Sequence, residues 1–510
     1  MMKNQTKKKT FQSGGRRTKS PRTNCERQLR RSSRNVAPGP IGIPGRIWAL
    51  TYHLVAPRLR HLYNRCLAEG GYPKNWKMAR LVLLRKEGKP PDSPSGYRPI
   101  CLLDEVGKLL ERVIAAHLEG HMRQREPGWH EGQYGFRRSR STVDVINHVR
   151  RTTEDMTSGE GVALAVLLDI TNAFNTIPWH RIVEALRHYQ VPKYLVEVIK
   201  SYLDDRWVEY RSQRGMERKP VERGVPQGSV LGTILWITAY DRVLRCPRPL
   251  GTEVMCYAED TLVIAGDRWW HETANLTEDA VACVVREIKK LELHVSPSKT
   301  EVLGFCDSRR RSPPPPGLGI SIDGGRVMVG QTMKYLRLTI DSHWTFEQHF
   351  EQLVPKVAAS ANALCGLLPN LGGAGLGVRR LYEGVVRSRV LYGAPVWAKE
   401  LNVSRRSMTL IRGLQRRTAV RIIRGYRTVS YSTAIVLAAS PPPLELQALA
   451  FKERYEWKKS LLQGPEEATQ HLDLEEVQAK VWRQWHAWLQ QEIRERPHRA
   501  VCAVLPNWER

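Results

Sequence analysis

Two apolar runs that end in acids constrain this chain more than any other feature. Leu164-Ala165-Val166-Leu167-Leu168 is continuous enough to be a strand buried on both faces, and Asp169 follows it directly. About ninety residues on, Val254-Met255-Cys256-Tyr257 and Thr261-Leu262-Val263-Ile264-Ala265 flank Ala258-Glu259-Asp260, which reads as a hairpin with acids at its tip. Charged groups next to such runs belong at a sheet edge, where they can face a partner. Three carboxylates meeting there can hold two divalent cations roughly 3.5–4 Å apart, the arrangement used for in-line phosphoryl transfer.

The charge balance points to the partner. A formal net charge of +29 over 510 residues suits a polyanion, because Lys and Arg that neutralise phosphates release counterions. The cations run through the whole chain, including Arg206, Arg223, Arg309–Arg311 and Arg416–Arg427, so they are more than a basic tail. No run approaches the roughly 18 uninterrupted apolar residues of a membrane-spanning helix, and no membrane partner is expected. The cysteines are odd in number, scattered and without a C-x-x-C pair. They argue against a disulfide scaffold and a structural zinc site, and for a reducing, intracellular compartment.

Residues 1–40 are basic and poor in large apolar groups, which predicts a disordered tail serving as a nucleic-acid arm, a nuclear-import signal or plain solvated chain. Trp76 to Leu84 and Tyr97 to Leu103 predict two strands around the turn Lys86-Glu87-Gly88-Lys89-Pro90-Pro91. Asp104 then stands where it can cap a helix carrying Val106, Leu109, Leu110 and Ile114. Ser141 to Asp144 opens another helix, and Pro178 and Pro192 start two more. Ile320 to Val329 reads as a hairpin with a Gly-rich turn, and from about residue 345 the pattern is helical. Within it Arg412, Arg416, Arg417, Arg421, Arg424 and Arg427 alternate with Leu410, Ile411, Leu414, Ile422 and Ile423, a basic amphipathic helix. One face can track a nucleic-acid backbone, although a solvated charged face reads the same way.

With the acids placed, further segments fall into a recognisable order. They are Tyr97-Arg98-Pro99-Ile100-Cys101-Leu102-Leu103, Gln133-Tyr134-Gly135-Phe136-Arg137, Leu168-Asp169-Ile170-Thr171-Asn172-Ala173-Phe174-Asn175, Gly224-Val225-Pro226-Gln227-Gly228-Ser229, Tyr257-Ala258-Glu259-Asp260, Lys299-Thr300-Glu301 and Lys334-Tyr335-Leu336. Across most of residues 37–450 the chain resembles the reverse transcriptase of LINE-type (non-LTR) retrotransposons, with the arthropod Jockey superfamily the nearest likeness. The resemblance implies an α+β, right-hand polymerase fold with an antiparallel palm sheet. It places fingers over 41–160, palm over 161–343 with fingers elements at about 180–222, a helical thumb over 344–460 and a helical extension over 461–510.

It also implies roles. Asp169, Glu259 and Asp260 match the catalytic carboxylates, and the Ile170 carbonyl a further ligand, for two Mg2+ ions with Mn2+ able to substitute. Lys299 matches the general acid for pyrophosphate. Phe174 matches the aromatic that crowds the sugar 2′-position, and Gln227 with Gly228 the segment under the incoming nucleotide. Lys86 and Arg98 match the cations that grip the triphosphate, and Arg412, Arg416, Arg417, Arg421 and Arg424 the thumb cations on the duplex. The implied partners are an RNA template, a DNA primer and dNTPs, and the implied compartment is the nucleus; oligomeric state is not legible.

Several positions depart from the pattern. Glu259 stands where the family carries Asp, Arg337 where it carries Gly, and Ile41, Ser139, Thr233 and Ile237 replace Asp, Gly, Pro and Asn. The endonuclease and the Cys/His knuckle of full-length relatives are not expected here. The Glu259 carboxylate lies one C–C bond, about 1.5 Å, further from the backbone than that of Asp. Impaired turnover follows, since misplacements of about 1 Å can cost on the order of 10²-fold. The competing class is a catalytically dead nucleic-acid-binding remnant that keeps the groove. An RNA-directed RNA polymerase is disfavoured by Phe174.

Overall fold

The computed structural model describes residues 37–504 apart from 87, 89, 308, 369–374, 439–441, 464–473 and 496–498. Nearly all of the basic segment 1–40 therefore lies outside the described residues. In chain order the strands are β1 (Met78–Arg85), β2 (Tyr97–Leu102), β3 (Val162–Leu168), β4 (Arg206–Ser212), β5 (Gly215–Val221) and β6 (Thr252–Tyr257). They continue with β7 (Asp260–Asp267), β8 (Glu301–Cys306), β9 (Gly319–Ile322), β10 (Gly325–Gly330), β11 (Thr332–Tyr335) and β12 (Leu338–Asp341). The chain forms two compact units, Met1–Trp129 with Asn172–Tyr240, and His130–Thr171 with Asp241–Arg510.

The first unit holds a four-stranded sheet in the order β2-β1-β4-β5. β1 begins at Met78 and not at Trp76, because Lys74–Trp76 closes a 3-10 turn whose Trp76 ring meets Tyr63 and Tyr72 edge-on. The expected β1–β2 hairpin forms, with the Lys86 N–H donating to the Gly96 carbonyl at 2.7 Å. Helix Glu105–Gln124 follows and buries Leu109, Leu110, Ile114 and Leu118. Asp104 precedes it, but its carboxylate makes no cap hydrogen bond; its Oδ1 accepts from the Ile41 N–H at 3.0 Å, so it ties down the upstream chain instead. Pro178 and Pro192 stand at the N-caps of helices Trp179–His188 and Lys193–Leu203, where their missing N–H costs nothing.

The second unit is built on a six-stranded sheet, β6-β7-β3-β8-β10-β9. β3 is central, antiparallel to β7 and β8, which explains its unbroken run of Val, Leu and Ala. Helix Thr142–Met156, opened by a Ser141–Asp144 capping box, packs Val145, Ile146 and Val149 with Ala163, Ala165, Leu262 and Ile264. Helix Trp270–Lys290 also covers the sheet and buries Val281, Val284 and Ile288. The β9–β10 hairpin turns through Asp323-Gly324, both at positive φ. It docks by its second strand, so β10 runs parallel to β8, the one exception to an otherwise antiparallel sheet. Helices follow from Glu347, around Phe350 and Trp397, which are fully buried and meet edge-to-face at 5.1 Å. The fold class is α+β, as expected. Among the described residues no helix is long and apolar enough to cross a membrane, and the described cysteines are all free.

Candidate active site

In the second unit the strand register does most of the positioning. β3 and β7 pair from Val162↔Asp267 to Leu168↔Thr261. One step further along both strands sets Asp169 opposite Asp260, at the separation of about 5 Å expected for facing residues of an antiparallel pair. Two like charges at that range in a half-buried position oppose each other. Burial, reinforced by the Asp169 carboxylate, lifts the Asp260 pKa from 3.8 to about 6.

Past Asp169 the chain pairs briefly with residues 294–296. The Ser296 N–H donates to the Asp169 carbonyl at 2.8 Å and the Thr171 N–H to the His294 carbonyl at 2.9 Å, on either side of an Ile170–Val295 bridge. With the bonds made by the flanking residues, the N–H and C=O of Ile170 point away from that segment. The same pairing delivers Lys299, in the 3-10 turn Pro297–Lys299, so that its Nζ lies 3.5 Å from Asp169 Oδ2. The Lys299 side chain is 61% exposed and that of Asp169 41%, so the pair is open to solvent and adds little stability.

Glu259 stands at the tip of the acidic hairpin, as the sequence predicts. It is the second central residue of the two-residue β6–β7 turn, after Ala258 at φ 61°. Among the described residues no three His, Cys, Asp or Glu side chains come together closely enough to hold an ion. The donor set that does form, the carboxylates of Asp169 and Asp260 with the Ile170 carbonyl beside them, is all hard oxygen. Its mutual repulsion is what a divalent cation would relieve, so the residues present fit such an ion.

The first unit gathers the residues matched to nucleotide recognition. The Val225 N–H donates to the Phe174 carbonyl at 2.7 Å, and the Phe174 ring leans on Trp236 with centroids 4.8 Å apart. Gly224 is at φ 77°, and a Cβ there would sit 2.6 Å from the Phe174 oxygen, so the close approach demands glycine. The Gln227 carbonyl accepts from the Cys101 N–H at 2.8 Å, and Gly228 passes so near that a Cβ would lie 2.5 Å from the Cys101 oxygen. Arg98 and Lys86 are exposed on the β1–β2 hairpin, Arg98 facing Leu84 in the register.

The basic helix spans Arg405–Ile423, with Arg424 as its left-handed C-cap at φ 56°. Among its cations, Arg406 pairs with Glu351 at 2.5 Å, Arg412 Nε meets Glu445 at 2.8 Å and Arg416 Nε the Val429 carbonyl at 2.7 Å. Arg417, Arg421 and Arg424 are exposed and, with Arg416 and Arg427, line a cleft of about 740 Å³.

Two positioning side chains were not given roles from sequence. Glu111, fully buried, accepts from the Val230 and Leu231 N–H groups at 2.7 and 3.0 Å and so pins the turn after Gln227. Its pKa is raised by burial. On a helix surface an isolated Glu gives no signal of this. Gln133, also fully buried, reaches the Ala258 turn. It stood within a quoted motif, but nothing in the sequence said which backbone its amide would meet.

A family model described as reverse transcriptase (RNA-dependent DNA polymerase) matches residues 84–340. The chain is similar to a putative 115 kDa protein of the type-1 retrotransposable element R1DM of Drosophila melanogaster, 27% identical over 457 residues, 88% of this chain and 42% of that protein. It is 31% identical over 348 residues to a probable RNA-directed DNA polymerase from transposon BS of Drosophila melanogaster, 66% of this chain and 37% of the relative. The RNA-directed DNA polymerase from the mobile element jockey of the same organism is 26% identical over 399 residues, 76% of this chain and 42% of its own. The chain thus spans about two fifths of the length of these curated relatives.

Proposed function

The chain belongs to the reverse transcriptase family, and from that premise we propose that it is the RNA-directed DNA polymerase of a non-LTR retrotransposon, slowed by Glu259. The observation that carries this reading is Asp169 set opposite Asp260 by strand register, with Lys299 on Asp169. The four-stranded sheet and its helices serve as fingers, the six-stranded sheet as palm and the helices after Glu347 as thumb.

Asp169, Asp260 and the Ile170 carbonyl, with Glu259 as the weakened member, are the groups that would hold two Mg2+ ions. Such ions, when bound, acidify a primer 3′-hydroxyl and neutralise the leaving pyrophosphate. Lys299 donates a proton to the pyrophosphate oxygen, a role its exposed ammonium suits. Phe174 rejects ribonucleotides by crowding the 2′-position. Gln227 hydrogen-bonds the sugar, and the glycines beside it let backbone approach the base pair. Arg98 and Lys86 grip the triphosphate, and Arg417, Arg421 and Arg424 follow the template–primer backbone with Arg412 and Arg416. A nuclear location suits these substrates.

Primer extension on an RNA template with dNTPs and Mg2+ tests the reading. A Glu259→Asp protein should extend on the order of 10²-fold faster than the parent, and adding Asp169→Asn should abolish extension. No extension by Glu259→Asp overturns the polymerase reading; equal rates for parent and Glu259→Asp overturn the impairment. A binding-only remnant is the second reading, favoured by Glu standing at 259, in the turn beside the facing pair, where the family carries Asp. It predicts salt-sensitive template binding with no extension by the parent protein.

A further inference from the structure

The acidic turn is held from outside its own hairpin. Residues 132–134 run alongside β6: the Tyr134 N–H donates to the Cys256 carbonyl and the Cys256 N–H to the Gly132 carbonyl, both at 2.8 Å. Between these bonds the Gln133 side chain, with no solvent exposure, reaches the turn itself. Its Oε1 accepts from the Ala258 N–H at 3.1 Å and from the Gly135 N–H at 2.9 Å, while its Nε2 donates to the Ala258 carbonyl at 3.4 Å. One amide thus satisfies both polar groups of the residue that precedes Glu259.

That residue needs support. Ala258 sits at φ 61°, in the left-handed region that L side chains other than Asn and Asp rarely enter. A hairpin turn of this kind ordinarily carries glycine at its first central position. Gly135 closes the latch: a Cβ there would lie 2.2 Å from the Ala258 nitrogen, so only glycine lets the two segments meet. Each contact falls on Ala258, whose carbonyl begins the peptide leading to Glu259 and then Asp260.

We infer that Gln133 is a positioning residue for metal binding, its amide fixing the Ala258 turn so that the Asp260 carboxylate is held against Asp169. The inference rests on the polymerase reading for its purpose, and it concerns only residues of the second unit. Backbone bonds of β6 and β7 alone would leave the turn free to relax toward a conformation that Ala tolerates. The carboxylates, which repel each other, would then separate.

The test is Mn2+ binding to the full chain, read from the loss of the free-ion EPR signal, for the parent, Gln133→Asn and Gln133→Met. Asn keeps the amide but stops about 1.5 Å short. Met keeps the volume and loses both hydrogen-bonding atoms. Using two disruptive variants guards against one that does not melt cooperatively in EDTA. Asn and Met should weaken Mn2+ binding tenfold or more while melting cooperatively in EDTA. A folded Asn or Met variant that binds within threefold of the parent overturns the inference. A parent chain that binds no Mn2+ overturns the polymerase reading and the inference with it, which separates the two failures.

Discussion

Replacing Asp260 by Asn should make the metal-free protein more stable above pH 6 and leave it nearly unchanged at pH 4. Asp260 titrates near 6 in the folded chain against an ordinary value of 3.8, raised by burial and then by Asp169. Between those pH values the folded state binds a proton that the unfolded state has released, so stability falls as pH rises through that window. Below 3.8 both states are protonated and nothing is lost. Above about 6 the full penalty stands. At roughly 1.36 kcal/mol per pH unit the interval amounts to on the order of 3 kcal/mol.

Asn has the same shape and no charge, so it removes most of that penalty at pH 8 and has none to remove at pH 4. The measurement is local: hydrogen exchange of the β3 and β7 amides in EDTA at both pH values reads the opening of the strands that carry the two aspartates. A cation binding between the carboxylates would reverse the ranking. At about 1,000-fold above its dissociation constant it stabilises the parent by roughly 4.1 kcal/mol and leaves the Asn variant untouched. A variant no more stable than the parent at pH 8, or a difference that does not change between pH 4 and 8, would refute the mutual repulsion on which the site is built.

Other substitutions give separable outcomes. Phe174→Val should admit ribonucleotides into the product in the Glu259→Asp background, read by alkali cleavage of the extended strand; unchanged discrimination would return Phe174 to being a core partner of Trp236. Arg337→Gly should stabilise the β11–β12 hairpin by about 1 kcal/mol, since exposed Arg337 is held at φ 72° after Leu336 at φ 47°. A lower denaturation midpoint for that variant would show that the arginine makes a contribution beyond its backbone strain.

How much of this was legible depended on whether the signal was local. The strand ending in Asp169, the acidic hairpin, the Ser141–Asp144 helix start and the β9–β10 turn rest on periodicity and turn chemistry, and all form where the sequence puts them. Lys299 could be assigned only by resemblance, and it reaches Asp169 because residues 294–296 continue the sheet by one bridge, a pairing without a pattern of its own. Asp104 shows the limit in the other direction. Its position predicts a helix cap, yet the carboxylate serves Ile41, far upstream, because an N-cap side chain can choose any unpaired N–H within reach. The partners of Gln133 and Glu111 were not legible, since buried polar residues declare their partners only after the backbone is folded around them.

The placement of the acids also explains how such a chain can lose turnover and keep its fold. Asp169 faces Asp260 because of the β3–β7 register, and that register is held by Ala163, Ala165, Leu262 and Ile264 in the core. A one-residue slip would exchange the residues packed on the two covered faces, so the alignment of the two aspartates is enforced by apolar packing on both sides of the sheet. Glu259 lies in the turn, outside the ladder that sets the register. A change there costs the fold little and can cost catalysis a great deal. Selection on folding alone therefore would not remove it. The rate gained on restoring Asp at 259 is the quantity that separates a slow polymerase from a folded binding protein.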